Sequence, residues 1–299
     1  MEQDIEIKSL QNGAAYLHHS ESYLRIGLRM FIKSKTAIFG LIVVVCVIAV
    51  ALLAGLIAPF DPVEFHPDSV LQSPSTNFLF GTDVFGRDVL SRVIFGSRIS
   101  LLVGILSVGF AMIIGIPLGT IAGYFGGRWD SIIMRLIDVI LAFPIFLLAI
   151  GIMVILGPSV SNVIIALAIV YIPSFTRVTR GCVLSIKENL YIEAARSLRL
   201  SHRHIIIRHV WPNAMAPLIV LASTTVAFAI IIEASLSFLG VGTQPPAPSW
   251  GFDLQANLIF LTIKPWLVLF PGLSIFITVL GFNMFGDGLR DALDPRLKI

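Results

Sequence analysis

The chain has 299 residues, of which 56% are hydrophobic and only 13% charged, with a mean hydropathy of +0.91 and a formal net charge of +3. Soluble domains carry about 25% charge, so this balance excludes an ordinary soluble enzyme and describes a chain embedded in a membrane. The small net charge gives no ground for a nucleic-acid partner, and the basic residues have to be read by location.

Residues 1–36 form a polar, cytoplasmic N-terminal tail. In it, Ser22 to Lys35 sets Leu24, Leu28 and Phe31 on one helical face and Arg25, Arg29 and Lys33 elsewhere. That pattern suits a helix lying in the membrane interface; a frayed tail with a few cations beside the membrane is the plainer alternative. No cleavable secretory signal is visible, because the apolar run behind the tail is too long for one.

The remainder, 37–299, reads as one all-α, polytopic membrane domain. A bilayer core takes roughly 20 apolar helical residues to cross. Ala37 to Ala58 is uncharged and stops at Pro59, giving the first span. Ile99 to Phe125 gives the second, loosened by Gly115-Ile116-Pro117 and closed by Gly126-Gly127-Arg128. Val139 to Thr176 carries no charge and holds Gly157-Pro158-Ser159 near its middle, which predicts a helical hairpin turning there. The third span then begins near Ser131 and takes in Arg135 and Asp138, and the fourth runs to about Leu184. Ala214 to Leu239 and Pro265 to Phe285 make the fifth and sixth. Helices are the expected spanning form, since backbone groups in lipid need partners inside their own segment. Segments 59–98 and 240–264 then lie on one side, and 185–213 with the tail 286–299 on the other.

Lysine and arginine set the orientation. With the N-terminus inside, Lys8, Arg25, Arg29, Lys33, Lys35, Arg128, Arg177, Arg180, Lys187, Arg196, Arg199, Arg203, Arg208, Arg290, Arg296 and Lys298 are cytoplasmic. The other side keeps Arg87, Arg92, Arg98 and Lys264: sixteen against four, with Arg135 inside a helix. Both termini are therefore expected in the cytoplasm. Cys46 and Cys182 fall in or beside spans and read as free, buried thiols rather than a disulfide.

A polar stretch, Tyr191 to Asn213, stands between the fourth and fifth spans. The positive-inside rule accounts for its arginines. It does not account for Ile192, Ala195 and Leu198 at helical spacing with Ile205, Ile206 and Ile207 following, which predict two short amphipathic helices that bury against a partner protein. Ser201 is placed to cap the second. His202 and His204 are two apart and cannot share a helix face, so they read as solvated histidines.

This stretch resembles the EAA loop of ABC-importer permeases, whose pattern is EAA, three residues, Gly, nine residues, Ile-x-Leu-Pro. Glu193, Ala194, Ala195 and Pro212 match; Arg199 stands at the glycine, His209 at the isoleucine and Trp211 at the leucine. Arg208-His209-Val210 and Pro212-Asn213 keep the narrower form of the peptide and nickel permeases. Glycine would let the chain turn between the two helices, which makes Arg199 the larger departure. Further matches to the same subfamily lie outside the loop. They are Gly81-Thr82-Asp83, Gly86 to Arg92, Ser235 to Gly240, Gln244-Pro245-Pro246, Pro248 to Gly251, and Asn283 with Gly286 to Pro295.

The resemblance covers residues 20 to 298 and points to the C-type permease of dipeptide, oligopeptide and nickel importers, with a six-span type I permease fold. It implies a heterodimer with a homologous B-type permease, two cytoplasmic ATPase domains that use ATP and Mg, an extracytoplasmic substrate-binding protein, surrounding lipid, and residence in a bacterial or archaeal cytoplasmic membrane. It assigns ATPase coupling to Glu193, Ala194, Ala195, Arg199 and Pro212. Transport would proceed by alternating access, with small peptides as the substrate; nickel, a metal chelate or a glutathione-like peptide is the alternative cargo.

The residues themselves offer no catalytic centre. The chain lacks a Gly-x-x-x-x-Gly-Lys-Ser/Thr phosphate loop, and Gly281 to Gly288 lacks the lysine, so ATP hydrolysis falls to separate subunits and no cofactor or metal is expected on this chain. Two carboxylates lie at membrane depth. Asp138 follows Arg135 by three residues, which favours a helical ion pair over a proton relay. Glu233 sits roughly 9 Å inside the end of the fifth span, where a carboxylate is costly unless it faces water or a partner. It either lines the translocation path or a gate, meeting a peptide amino terminus or a metal cation, or it organises the helix end against the outer loop. In the first outer loop Asp83, Arg87, Asp88 and Arg92 mix signs, Asp88 and Arg92 being four apart. They are candidates for docking the binding protein, although a solvated face has the same pattern. An ion-coupled secondary carrier without an ATPase is the rival class, but no inverted repeat is evident.

Overall fold

The computed structural model describes residues 29–293. Leu24, Arg25 and Leu28 of the expected interfacial helix lie outside the described residues, as does the tail after Leu293. Nine helices carry the described fold: α1 Lys35–Ile57, α2 Val89–Phe125, α3 Gly127–Leu141, α4 Ile145–Leu156, α5 Val160–Lys187, α6 Leu190–Ser197, α7 His202–Phe238, α8 Trp250–Asn257 and α9 Trp266–Leu293. Among the described residues there is no strand, only one isolated bridge between Thr82 and Asp88.

Helices α1, α2, α5, α7 and α9 are each long and apolar enough to cross a membrane. Where one continuous third span was expected from Ser131 onward there are instead two shorter helices, α3 and α4, meeting at 86°. The break falls at Ala142-Phe143-Pro144: Pro144 has no N–H for the helical ladder and pushes Phe143 out of the helical conformation. The hairpin expected at Gly157 to Ser159 is where α4 gives way to α5. Gly157 takes φ 83°, the Ser159 hydroxyl accepts from the Asn162 N–H at 3.1 Å, and Asn162 Nδ2 donates to the Leu156 and Gly157 carbonyls.

Gly115, Gly119 and Gly123 recur every fourth residue along α2 and let it lie backbone to backbone on α5. A β-carbon at Gly115 would stand 2.8 Å from that of Phe175, one at Gly123 2.9 Å from that of Val183, and one at Gly119 would fall on the Thr176 carbonyl. Small residues at this spacing substitute van der Waals contact for the hydrophobic drive that lipid does not supply. Sequence reading took Gly115 as a loosening of the helix; it is part of its tightest contact. Leu101, Ala111, Leu167, Phe175 and Ile230 fill the core that α2 and α5 share with α7. Helix α1 packs on α9 through facing Gly40 and Gly281 and leaves Leu52 and Leu56 exposed. Cys46 is exposed and Cys182 half-buried, so the thiols are free but not both buried as expected.

The bundle has two dissimilar ends. The arginine end gathers the α2–α3 turn, the end of α5, all of α6 and the start of α7. The loop end gathers residues 58–88 and 239–265, with α8 among them.

Candidate functional site

At the arginine end the chain leaves α5, forms the two turns of α6 and re-enters the bundle as α7. Ile192 and Ala195 are buried in the main core, whereas Glu193 and Ala194 are exposed, as are Leu190 and Leu198 at 81% and 76%. The two short helices expected to bury on a partner therefore divide differently. The inner face of α6 is satisfied by this chain, and a separate apolar set looks outward.

Helix α6 ends as glycine-terminated helices do, but with arginine. The Arg199 N–H donates to the Arg196 carbonyl at 2.9 Å and the Leu200 N–H to the Ala195 carbonyl at 3.2 Å, the paired bonds of a Schellman cap. That cap needs a left-handed residue after the last helical carbonyls, and Arg199 supplies it at φ 56°. The Ser201 hydroxyl then caps the next turn, accepting from the His204 N–H at 3.3 Å.

The second short helix is not separate. His202 to Ile205 continues through a five-residue π turn, Ile206–Val210, into the span. Pro212 lies just beyond. Its ring would clash with the carbonyl four residues back in a regular α-helix, and the wider turn relieves this. Here the Trp211 N–H reaches the Ile206 carbonyl, and Asn213 Nδ2 donates to the His209 carbonyl at 2.6 Å.

The flanks of this segment are fastened to the last turn of α2. Lys187 Nζ donates to the Gly123 carbonyl at 3.0 Å, and Trp211 Nε1 donates to Thr120 Oγ1 at 3.1 Å. The Tyr124 hydroxyl lies 3.0 Å from His202 Nδ1, and the Arg196 guanidinium sits 5.4 Å over the Tyr124 ring. His202 is thus engaged with Tyr124, while the rings of His204 and His209 lie 6.0 Å apart. Among the described residues no group of three or more His, Cys, Asp or Glu side chains is placed to hold a metal ion.

At the loop end, Asp83, Arg87, Asp88 and Arg92 are all buried, which corrects their reading as an exposed docking face. Asp83 turns the loop on itself, accepting from the Phe85 and Arg87 N–H groups and pairing with the Arg87 guanidinium. Asp88 does not pair with Arg92. It caps α2, accepting from the Ser91 N–H at 2.8 Å and the Ser91 hydroxyl at 2.6 Å. Arg92 reaches across to Asp253 on α8, 2.5 Å away, and donates to the Pro62 carbonyl at 3.1 Å. Burial pushes the Asp253 carboxyl up from its ordinary range, and Arg92 opposes that push.

Glu233 is fully buried. Its carboxylate accepts from the hydroxyls of Ser100 on α2, Ser237 on α7, and Thr243 and Ser249 in the loop leading to α8, at 2.9 to 3.3 Å. It does not line the neighbouring apolar crevice of about 320 Å³, which its neighbours Ala234 and Ser235 do, with Phe146 and Ile275. Asp138 pairs with Arg177 on α5 at 2.5 Å rather than with Arg135, because α3 lies along α5 and brings Arg177 within reach. Arg180 holds Asp130 in the same way with two bonds, at 2.5 and 2.6 Å.

Sequence reading missed Asp253, 161 residues from Arg92, because no local spacing marks such a pair. It also missed Tyr124, although a tyrosine closing an uncharged run carries the signal of a membrane-interface residue.

The model of the binding-protein-dependent transport system inner membrane component matches residues 115–299, and that of the N-terminal transmembrane domain of oligopeptide transport permease C matches residues 22–74. The dipeptide transport system permease protein DppC of Alkalihalophilus pseudofirmus is 49% identical over 267 residues, 89% of this chain and 88% of that one. The glutathione transport system permease protein GsiD of Pectobacterium atrosepticum is 45% identical over 271 residues, 90% of each. In fold alone, an inward-facing structure of the MetNI methionine ABC transporter is similar, with a TM-score of 0.56 at 19% identity over 68% of this chain and 97% of that one. With these matches the chain belongs to the multi-pass ABC-importer permeases, in the branch that holds the peptide permeases.

Proposed function

We propose that this permease imports small peptides across a bacterial cytoplasmic membrane by alternating access, with both termini inside. It pairs with a homologous B-type permease, receives two ATPase domains at the arginine end, and takes substrate from an extracytoplasmic binding protein at the loop end. The 49% identity to a dipeptide permease supports the cargo. A glutathione-like peptide is the second reading, favoured by the 45% identity to glutathione permeases.

The observation that carries the coupling role is the outward face of α6. Glu193 and Ala194 are exposed between Leu190 and Leu198, on a helix whose other face is already buried in its own chain. Apolar side chains left outward on an anchored helix fit a protein partner. Because Ala195 faces inward, a bulky residue there disturbs this chain's own core, and Ala194 is the position that tests the contact. In vesicles carrying the full importer, Glu193→Ala and Ala194→Trp are expected to lower ATP-driven uptake roughly tenfold, the effect of losing about 1.4 kcal/mol at an interface, with the permease still in the membrane. Undiminished uptake and stimulated ATPase activity in both variants would overturn the assignment.

A further inference from the structure

We propose that α2 is the rod that carries motion from the ATPase-coupling segment to the outer cap helix α8, with Tyr124 the positioning residue at its inner end. This rests on the importer reading above.

The coupling segment is covalently part of α5 and α7, yet its polar contacts converge on α2. Lys187 precedes α6, Arg196 lies within it, His202 and Trp211 follow it, and all four rest on Thr120 to Tyr124. The other end of α2 holds α8 just as directly. Trp250 Nε1 donates to the Val93 carbonyl at 2.8 Å, and Gly96 leaves room for the indole, a β-carbon there falling 2.7 Å from its ring. Arg92 binds Asp253 on the same face. Between Val93 and Thr120 one helix runs roughly 40 Å at the ordinary rise.

Helix α7 also joins the two ends, but its entry is the softer one. The π turn and Pro212 interrupt its ladder where it leaves the coupling segment, and Pro217 follows a turn later. Helix α2 has its own proline, Pro117, but there the glycine seam lays it against α5. A displacement of α6 therefore reaches α8 through α2 with fewer yielding joints.

The test uses the complete importer in lipid vesicles, with a fluorophore on Gln255→Cys, an exposed position of α8, in an otherwise cysteine-free permease. ATP is expected to change the signal of the unsubstituted protein. Tyr124→Phe removes the hydroxyl that meets His202 and keeps the ring under Arg196. It is expected to reduce both that signal and the peptide moved per ATP by roughly fivefold, the shift one ordinary hydrogen bond controls, while stimulated ATP hydrolysis persists. His202→Ala should give the same loss, and the double variant no more than either alone.

Tyr124→Ala that retains the full signal and full transport per ATP would overturn the proposal and leave α7 as the carrier. Loss of hydrolysis and uptake in equal measure in every Tyr124 variant would also overturn it, since that marks a structural residue only. Absence of ATP-driven uptake by the unsubstituted complex would defeat the importer reading itself, and this proposal with it.

Discussion

The two ends of the bundle differ in how much of their charge they keep for themselves. At the loop end Asp83, Arg87, Asp88, Arg92 and Asp253 are buried and bonded among themselves, to Ser91 or to backbone groups. At the arginine end Glu193, Arg196, Arg199, Arg203 and Arg208 are exposed, with Leu190 and Leu198 beside them. Both stretches look alike as sequence: mixed polar runs between apolar spans. One end has used all of these charges to build itself; the other binds Arg180 to Asp130 and rests Arg196 on Tyr124, but leaves Glu193, Arg199, Arg203 and Arg208 outward. A charge-rich loop is therefore a candidate docking face only if its counter-charges do not lie elsewhere in the same chain.

The largest test of this contrast is Asp253→Ala. It leaves Arg92 buried without its carboxylate, and a buried pair broken from one side typically costs about 3–5 kcal/mol. A marked fall in Tm of the purified permease is expected, together with protease sensitivity between residues 240 and 257. Removing the exposed Glu193 carboxylate should shift Tm little, since surface substitutions stay within about 0.5 kcal/mol. Equal shifts for the two variants would erase the distinction between a self-contained end and an open one.

Gly119→Val tests what lies between the ends. The nearest obstacle to its side chain is the Thr176 carbonyl, which is held in α5 and cannot swing aside. Overpacking of this kind costs about 1–3 kcal/mol. The same change at Gly109, which has open space around it, replaces the poorest ordinary helix former with a somewhat better one and should be neutral or stabilising by about a few tenths of a kcal/mol. Thermal unfolding of the two variants side by side distinguishes a seam from a run of incidental glycines.

Five of the six expected spans were legible in sequence because lipid imposes a simple rule of length and hydropathy. Ser201 as a cap and the turn at Gly157 were legible because capping is local. The break at Pro144 was hidden inside a long uncharged run, where hydropathy continues unchanged across it. Asp138 with Arg135 was the wrong pair because helical spacing describes what a segment offers itself, whereas the true partner, Arg177, depends on packing. Ile192 and Ala195 were misread as facing a partner because a face already filled by its own chain has the same periodicity as one awaiting a partner.

The smallest expected effect is the most discriminating. Arg199 holds a left-handed conformation that costs a residue with a β-carbon about 1 kcal/mol or more, and it does so in a Schellman cap where the family pattern has glycine. Arg199→Gly removes that strain but gives the unfolded chain more freedom, so the net gain is about 0.5–1 kcal/mol, read as a small rise in Tm. Arg199→Ala keeps the strain and loses only an exposed guanidinium, so its Tm should not rise. If transport is unchanged in both variants, the glycine of the family pattern serves the turn alone. If both lose transport while only the glycine variant gains stability, the guanidinium is itself part of the contact with the ATPase. The arginine end would then have given up backbone ease for a charge that the loop end has no use for.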